Sequence, residues 1–167
     1  IGGVVATYTM CSIANCNVNL TVQDRTEVSE EGTTSLSLAD KNLYYVGGIV
    51  AQTENTSAMD RDIENCSVSL TFGIKRANNV YVGGIIAEQR ANAKMILNNL
   101  VAKLTVDTVL ETSTKLIGEN RIDEVVVGGI VARNRGTIDN GDEYALNINN
   151  CMSVMDCNVE YANILLG

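Results

Sequence analysis

The sequence predicts an all-β chain, a right-handed parallel β-helix (β-solenoid) of about four to five coils, and three observations predict it. The first is internal repetition: Gly2-Gly3-Val4-Val5-Ala6 returns as Gly47-Gly48-Ile49-Val50-Ala51, Gly83-Gly84-Ile85-Ile86-Ala87 and Gly128-Gly129-Ile130-Val131-Ala132. Successive first glycines lie 45, 36 and 45 residues apart, a period at which repeated supersecondary units complete one another's core. The second is a block of strict alternation after each pair, Ile13-x-Asn15-Cys16-x-Val18-x-Leu20-x-Val22 in the first copy. The third is composition: 46% of the 167 residues are apolar, with no Pro or Trp, one Phe and six Tyr, so Val, Ile, Leu and Ala must fill the interior. That mixture favours strands.

Each repeat begins with the glycine strand. In it Val46, Ile49, Val50 and Ala51 put apolar groups on both faces, and two readings stand side by side. In one, the glycine pair is a bulge or bend that resets the strand's phase. In the other, Val5, Val50, Ile86 and Val131 form an outward apolar ladder covered by another sheet or subunit.

In the alternating block Cys16, Val18, Leu20 and Val22 point inward and Asn17, Asn19, Thr21 and Gln23 outward. Ile13 has the opposite parity, so for it to point inward as well the chain must change phase at Asn15. Asn is the non-glycine residue best suited to the left-handed conformation such a corner needs. The block recurs as Ile63-x-Asn65-Cys66-x-Val68 and Leu97-x-Asn99-Leu100-x-Ala102. In the fourth copy Val154-x-Asp156-Cys157-x-Val159 fits best, while Ile148-x-Asn150-Cys151 and Ile138-x-Asn140 also begin the pattern, so an extra turn is expected there. Asn15, Asn65, Asn99 and Asp156 are therefore the expected corner residues, with side-chain amides stacked from coil to coil.

Long connections, roughly 24–42 and 107–124, follow the first and third copies, and solenoids place binding surfaces on such excursions. The expected organisation is one solenoid domain over 1–167, with repeats at approximately 1–42, 43–79, 80–124 and 125–167. Because the chain opens at Ile1-Gly2-Gly3, inside the repeat pattern, it reads as a mature product or a segment of something longer.

Twelve basic and twenty acidic residues give a net charge of -8, which argues against a nucleic-acid partner, since that affinity rests on Lys and Arg neutralising phosphates. The absence of His removes Ser-His-Asp and Cys-His catalysis and the usual zinc ligand sets. No run approaches the roughly 18 apolar residues of a membrane span.

A glycine pair, an Ile/Val pair, a small residue and then Asn-x-Gly-x-Ile-x-Asn resembles the GLUG-type repeat. Gly128-Gly129-Ile130-Val131-Ala132-Arg133-Asn134-Arg135-Gly136-Thr137-Ile138-Asp139-Asn140 follows it nearly throughout. The first three copies keep the glycine strand and the Asn turn but lose the Asn-x-Gly step. The resemblance implies a secreted or surface-anchored microbial protein with right-handed parallel β-helical stalks, as in adhesins and the flanks of surface proteases. The zinc-binding motif of such a protease requires His, which this chain lacks.

Among candidate sites, Cys16, Cys66 and Cys157 are expected to form one inward column of thiols acting as small hydrophobes. Local bridges Cys11 to Cys16 and Cys151 to Cys157 are the alternative in an oxidising compartment. Acidic groups cluster at Asp60-x-Asp62-x-Glu64 and at Asp139-Asn140-Gly141-Asp142-Glu143, without a calcium-loop spacing, and read as solvated turns. No carboxylate pair recurs among the outward positions, although parallel β-helices do host carbohydrate-active enzymes. Thr21, Thr71 and Thr105 share one repeat position, but Asn19, Ser69 and Lys103 beside them vary, which fits ordinary outward packing better than an ice-binding face. Asn19 and Asn55 head reachable glycosylation sequons, while Asn65 heads one at a corner.

The expectation is an extracellular structural or adhesive module without enzymatic activity or cofactor. Its expected partners are other copies of itself or neighbouring domains through the solenoid ends, and a host or matrix glycan or protein. A filament subunit and a carbohydrate-active enzyme are the alternatives.

Overall fold

A computed structural model describes residues 1–8, 12–23, 43–54, 61–73, 79–90, 95–108, 124–135, 146–159 and 163–167. Among them every regular element is a strand, and the strands recur in a cycle of four. The first repeat supplies β1 (Val5–Tyr8), β2 (Ile13–Ala14) and β3 (Asn17–Gln23). The second supplies β4 (Leu43–Gly47), β5 (Val50–Thr53), β6 (Arg61–Glu64) and β7 (Ser67–Gly73), and the third β8 (Asn79–Gly83), β9 (Ile86–Gln89), β10 (Met95–Asn98) and β11 (Val101–Thr108). The fourth supplies β12 (Glu124–Gly128), β13 (Val131–Asn134), β14 (Leu146–Asn149) and β15 (Met152–Val159), and β16 (Asn163–Leu166) follows.

These strands form four four-stranded sheets, parallel throughout. Sheet I is β1-β5-β9-β13, sheet II β2-β6-β10-β14, sheet III β3-β7-β11-β15 and sheet IV β4-β8-β12-β16. The chain visits the sheets in turn, and each strand pairs with its counterpart one repeat away, which makes the architecture solenoid-like. Equivalent residues stack: Leu20, Leu70, Leu104 and Met155 form one column of sheet III, and Val46, Val82 and Val127 one of sheet IV. Except for Met155, which is exposed, and Leu20, which is partly buried, these residues are buried in the core.

The glycine pair makes the corner between sheets IV and I. A Cβ on Gly47 would overlap the Val50 carbonyl of its own rung, and one on Gly48 would overlap the Gly84 carbonyl of the next rung and the Val68 side chain of sheet III. Gly2, Gly3, Gly83 and Gly84 repeat this arrangement, with Gly84 facing Ala102 and Leu104, while in the fourth copy Gly128 meets the Val131 carbonyl and Gly129 meets the Ser153 side chain. Removing the side chain thus lets backbone stack on backbone, through Gly3 N to Gly47 O (3.1 Å), Gly48 N to Gly83 O (3.1 Å) and Gly84 N to Gly128 O (3.0 Å).

Of the two readings of this strand, the bend holds and the external ladder does not. Val50 and Ile86 are fully buried by the chain itself, and Val5 and Val131 pack against the same core. They offer no face to another subunit.

The corner between sheets II and III is made by asparagine. Asn15, Asn65, Asn99 and Asn150 have φ of 59°, 55°, 54° and 51°, and they are the only non-glycine residues with positive φ among those described. Ile13, Ile63 and Leu97 are buried as the phase change requires. The amide ladder is present where Asn99 Nδ2 donates to Asn65 Oδ1 at 3.1 Å.

Asp156 is not a corner. It lies inside β15, opposite Thr105, on the outward face of sheet III, and Asn150 turns the fourth copy. The reason is register: Met152 N donates to Leu100 O (2.8 Å) as Val101 N does to Cys66 O (3.0 Å), so Cys151 follows Leu100 and Cys66 in the column. Cys157 falls instead beside Val106, in the column of Val22 and Phe72. No extra turn lies between Asn150 and Val159, which run straight into β15.

The second long connection is shorter than expected at both ends, because β11 continues to Thr108 and β12 begins at Glu124. The interiors of both connections, 24–42 and 109–123, lie outside the described residues, as do Asn55, Asp60, Cys11 and the run from Gly136 to Glu143.

The corner predicts a substitution order. A left-handed φ costs a non-glycine residue on the order of 1–3 kcal/mol, which Asn offsets through local hydrogen bonding and Ala does not. Asn65→Ala is expected to lower unfolding free energy in urea by about 2 kcal/mol, and Asn65→Gly by about 1 kcal/mol less than that. Equal losses, or the larger loss for Gly, contradict the conformational account.

Candidate functional site

Across the glycine corner, outward side chains of sheet IV meet side chains of sheet I. In β4 and β8 alternation turns Val46 and Val82 inward and Tyr45 and Tyr81 outward. These tyrosines are in register, and their rings stack with centroids 5.1 Å apart and planes within 12°. Parallel strands ~4.8 Å apart impose that spacing.

In sheet I, Gln52 pairs with Glu88 and Glu88 with Arg133. Glu88 is fully buried. Its Oε2 accepts from Gln52 Nε2 at 2.8 Å and from Arg90 Nε. Arg133 Nη1 and Arg135 Nε each lie 3.7 Å from Oε1, close enough for charge attraction but beyond a hydrogen bond, and Oε1 accepts none. The tyrosines steady the arginines from the other side. Arg133 Nη1 donates to the Tyr81 hydroxyl at 3.0 Å with its guanidinium 4.9 Å from the ring centre, and Arg90 Nη2 donates to the Tyr45 hydroxyl at 3.4 Å, 5.6 Å from that ring.

Partial burial by itself lowers the Arg90 pKa, but the hydrogen bond and charge of Glu88, with Tyr45 after them, outweigh it and raise the pKa overall. Behind this cluster Thr53 Oγ1 donates to Gln89 Oε1 at 2.6 Å and accepts from Arg90 N at 2.8 Å, which ties adjacent rungs through buried side chains. Arg61, also fully buried, lies 6.0 Å from the Tyr8 ring centre, and the Tyr8 hydroxyl donates to Asp62 O at 3.3 Å.

None of these residues stood out in the sequence. The signal was present as offsets from the first glycine: Tyr45 and Tyr81 two before it, Gln52, Glu88 and Arg133 five after it, Glu54, Arg90 and Arg135 seven after it. Composition varies down each of the last two columns, so only stacking the repeats reveals them.

The thiols at the asparagine corner are structural. Cys16, Cys66 and Cys151 Sγ donate to the carbonyls of Ala14, Glu64 and Asn149, two residues back in each case, at 3.6, 3.1 and 3.1 Å. Leu100 fills the same place in the third copy. Cys16, Cys66, Cys151 and Cys157 are unpaired. A Cys151 to Cys157 bridge is excluded by geometry, because six residues of strand span roughly 20 Å, against a Cα separation of under about 7 Å for a disulfide. Burial pushes the Cys66 thiol above its ordinary range, and burial together with the Asp156 charge does the same for Cys157.

Of the sequons, Asn19 is exposed on β3. Asn65 is exposed as well, but its side chain is engaged by Asn99. Asp62 and Glu64 lie on sheet II with Ile96 and Asn98 as their neighbours on the next rung, so no carboxylates stack there. Thr21, Thr71 and Thr105 do form a column on sheet III, which Asp156 ends. No group of metal-binding side chains occurs among the described residues. No family model, curated protein or solved structure matches the chain.

Two outcomes follow from this geometry. Glu88→Gln keeps the shape but removes the charge that three guanidiniums face. Because those arginines reach solvent, the loss is expected near the lower end for a broken buried pair, about 2–3 kcal/mol in urea unfolding at low salt. No loss would mean the cluster is electrostatically idle. The raised Cys66 and Cys157 pKa values mean that the folded state holds these protons more tightly than the unfolded state. Stability is therefore constant below the ordinary thiol pKa of 9.0 and falls as pH rises through it. In unfolding scans from pH 7 to 10, Cys66→Val is expected to shrink that fall, and an unchanged slope contradicts the assignment.

Proposed function

We propose that the chain is a non-catalytic structural or adhesive module that works outside the cell, built as a right-handed parallel β-helix of about four coils. The observation that carries this reading is the division of labour along the stack. Glycines at one corner and asparagines at the other recur in all four copies, whereas an outward column such as Asn19-Ser69-Lys103-Val154 on sheet III changes chemistry from rung to rung. A rigid scaffold with a variable surface suits display and contact. The GLUG-type resemblance supports the same compartment.

Antibodies raised against the chain are expected to label intact producing cells or their surroundings. Labelling that appears only after permeabilisation would overturn the extracellular placement. Release of new reducing ends from a panel of polysaccharides by the purified chain would overturn the non-catalytic part.

A further inference from the structure

The corner where sheets IV and I meet carries more positive charge than its own carboxylates neutralise. Arg90, Arg133 and Arg135 converge on Glu88, so three cations face one buried carboxylate in a chain whose net charge is -8. The excess is local and held in place.

We propose that Arg90, Arg133 and Arg135 form a binding site for the oxyanion groups, carboxylate or sulfate, of an acidic polysaccharide. The proposal deepens the adhesive reading and rests on it for the class of ligand. Three observations carry it. The guanidinium side chains are 40%, 32% and 51% exposed, so their edges face solvent while Glu88 beneath them is fully enclosed. Arg133 and Arg135 are drawn to Glu88 Oε1 at 3.7 Å without forming a hydrogen bond to it, so Glu88 positions them by charge, and Arg133 Nη1 donates to the Tyr81 hydroxyl instead. The Tyr45 and Tyr81 stack fixes Arg90 and Arg133 from behind, which removes much of the ordering cost of binding.

The spacing suits a polymer. Arg135 N donates to Gln89 O at 2.7 Å, which places Arg135 beside Arg90 on adjacent rungs ~4.8 Å apart, with Arg133 two residues along the same strand path. The planar forks of these residues match oxyanion geometry, and a chain bearing an anion on successive units engages more than one of them at once.

The test is surface-immobilised polygalacturonate (carboxylate), dextran sulfate (sulfate), neutral dextran and poly-L-glutamate, probed with the full 167-residue chain. The native chain is expected to bind polygalacturonate or dextran sulfate in a salt-sensitive manner and to ignore neutral dextran. Preference between the first two identifies the group. Arg135→Gln, at the most exposed of the three positions, and Arg133→Lys, which keeps the charge opposite Glu88 but loses the planar fork, are each expected to weaken binding about tenfold or more. Lys103→Ala, on the outward face of sheet III, is expected to leave it unchanged, and thermal unfolding of each variant reports that the fold persists. Binding of poly-L-glutamate as tight as that of either anionic glycan, or binding unaffected by the arginine substitutions, overturns the proposal. Failure of the native chain to bind either anionic glycan also overturns it, whereas the adhesive reading stands or falls on the surface labelling.

Discussion

Each rung of this molecule must bring its backbone within hydrogen-bonding distance of the rungs on either side, around corners as well as along strands, and the glycine pair is where that demand is most severe. There the chain turns from sheet IV into sheet I with the carbonyl of its own rung on one side and the carbonyl of the next rung on the other. A Cβ at either position would occupy space already held by backbone. The hydrogen bonds Gly48 N to Gly83 O and Gly84 N to Gly128 O exist because nothing stands between the rungs, and sheet III packs directly against the inside of the same corner through Val68, Ala102 and Leu104. The thickness of the core and the tightness of the turn are thus one constraint.

The opposite corner meets a different demand by different means. Turning from sheet II into sheet III requires a phase change so that Ile63 and Cys66, three residues apart, both face the core. A single left-handed residue accomplishes this, and asparagine is placed there in all four copies. The Asn99 amide donates to that of Asn65 in the neighbouring copy, and where cysteine follows, the thiol bonds to the carbonyl two residues back. The described cysteines are not cross-linked. In the stack they are small apolar side chains with one weak donor, placed where a corner carbonyl faces inward.

Burial of Glu88 is the point at which the scaffold departs from apolar packing. A carboxylate taken wholly out of water must be compensated, and here Gln52, three guanidiniums and, through them, two tyrosine hydroxyls do so. The side chains come from three successive rungs and two sheets, so the cluster couples neighbouring repeats that otherwise touch through backbone and hydrophobic columns. Because the supporting groups are themselves half-exposed, the same arrangement that satisfies the carboxylate presents organised positive charge to solvent.

How much of this was legible in the sequence follows from the range of each interaction. The all-β class, the repeat, the inward and outward assignment of β3, β7 and β11, and the phase change at Asn15, Asn65 and Asn99 were determined by the sequence alone. They depend on alternation and on single-residue conformational preference, which act within a few residues. Choosing Asn150 over Asp156 was not possible on that basis, since both sit in an x-Asn/Asp-Cys pattern and only pairing with β11 separates them. The burial of Val50 and Ile86, the exclusion of a Cys151 to Cys157 bridge and the assembly of Tyr45, Tyr81, Glu88, Arg90, Arg133 and Arg135 were decided by the tertiary structure. Each depends on which residues of different rungs and sheets are brought together, and that is set by the cross-rung register and by the angle of the glycine corner.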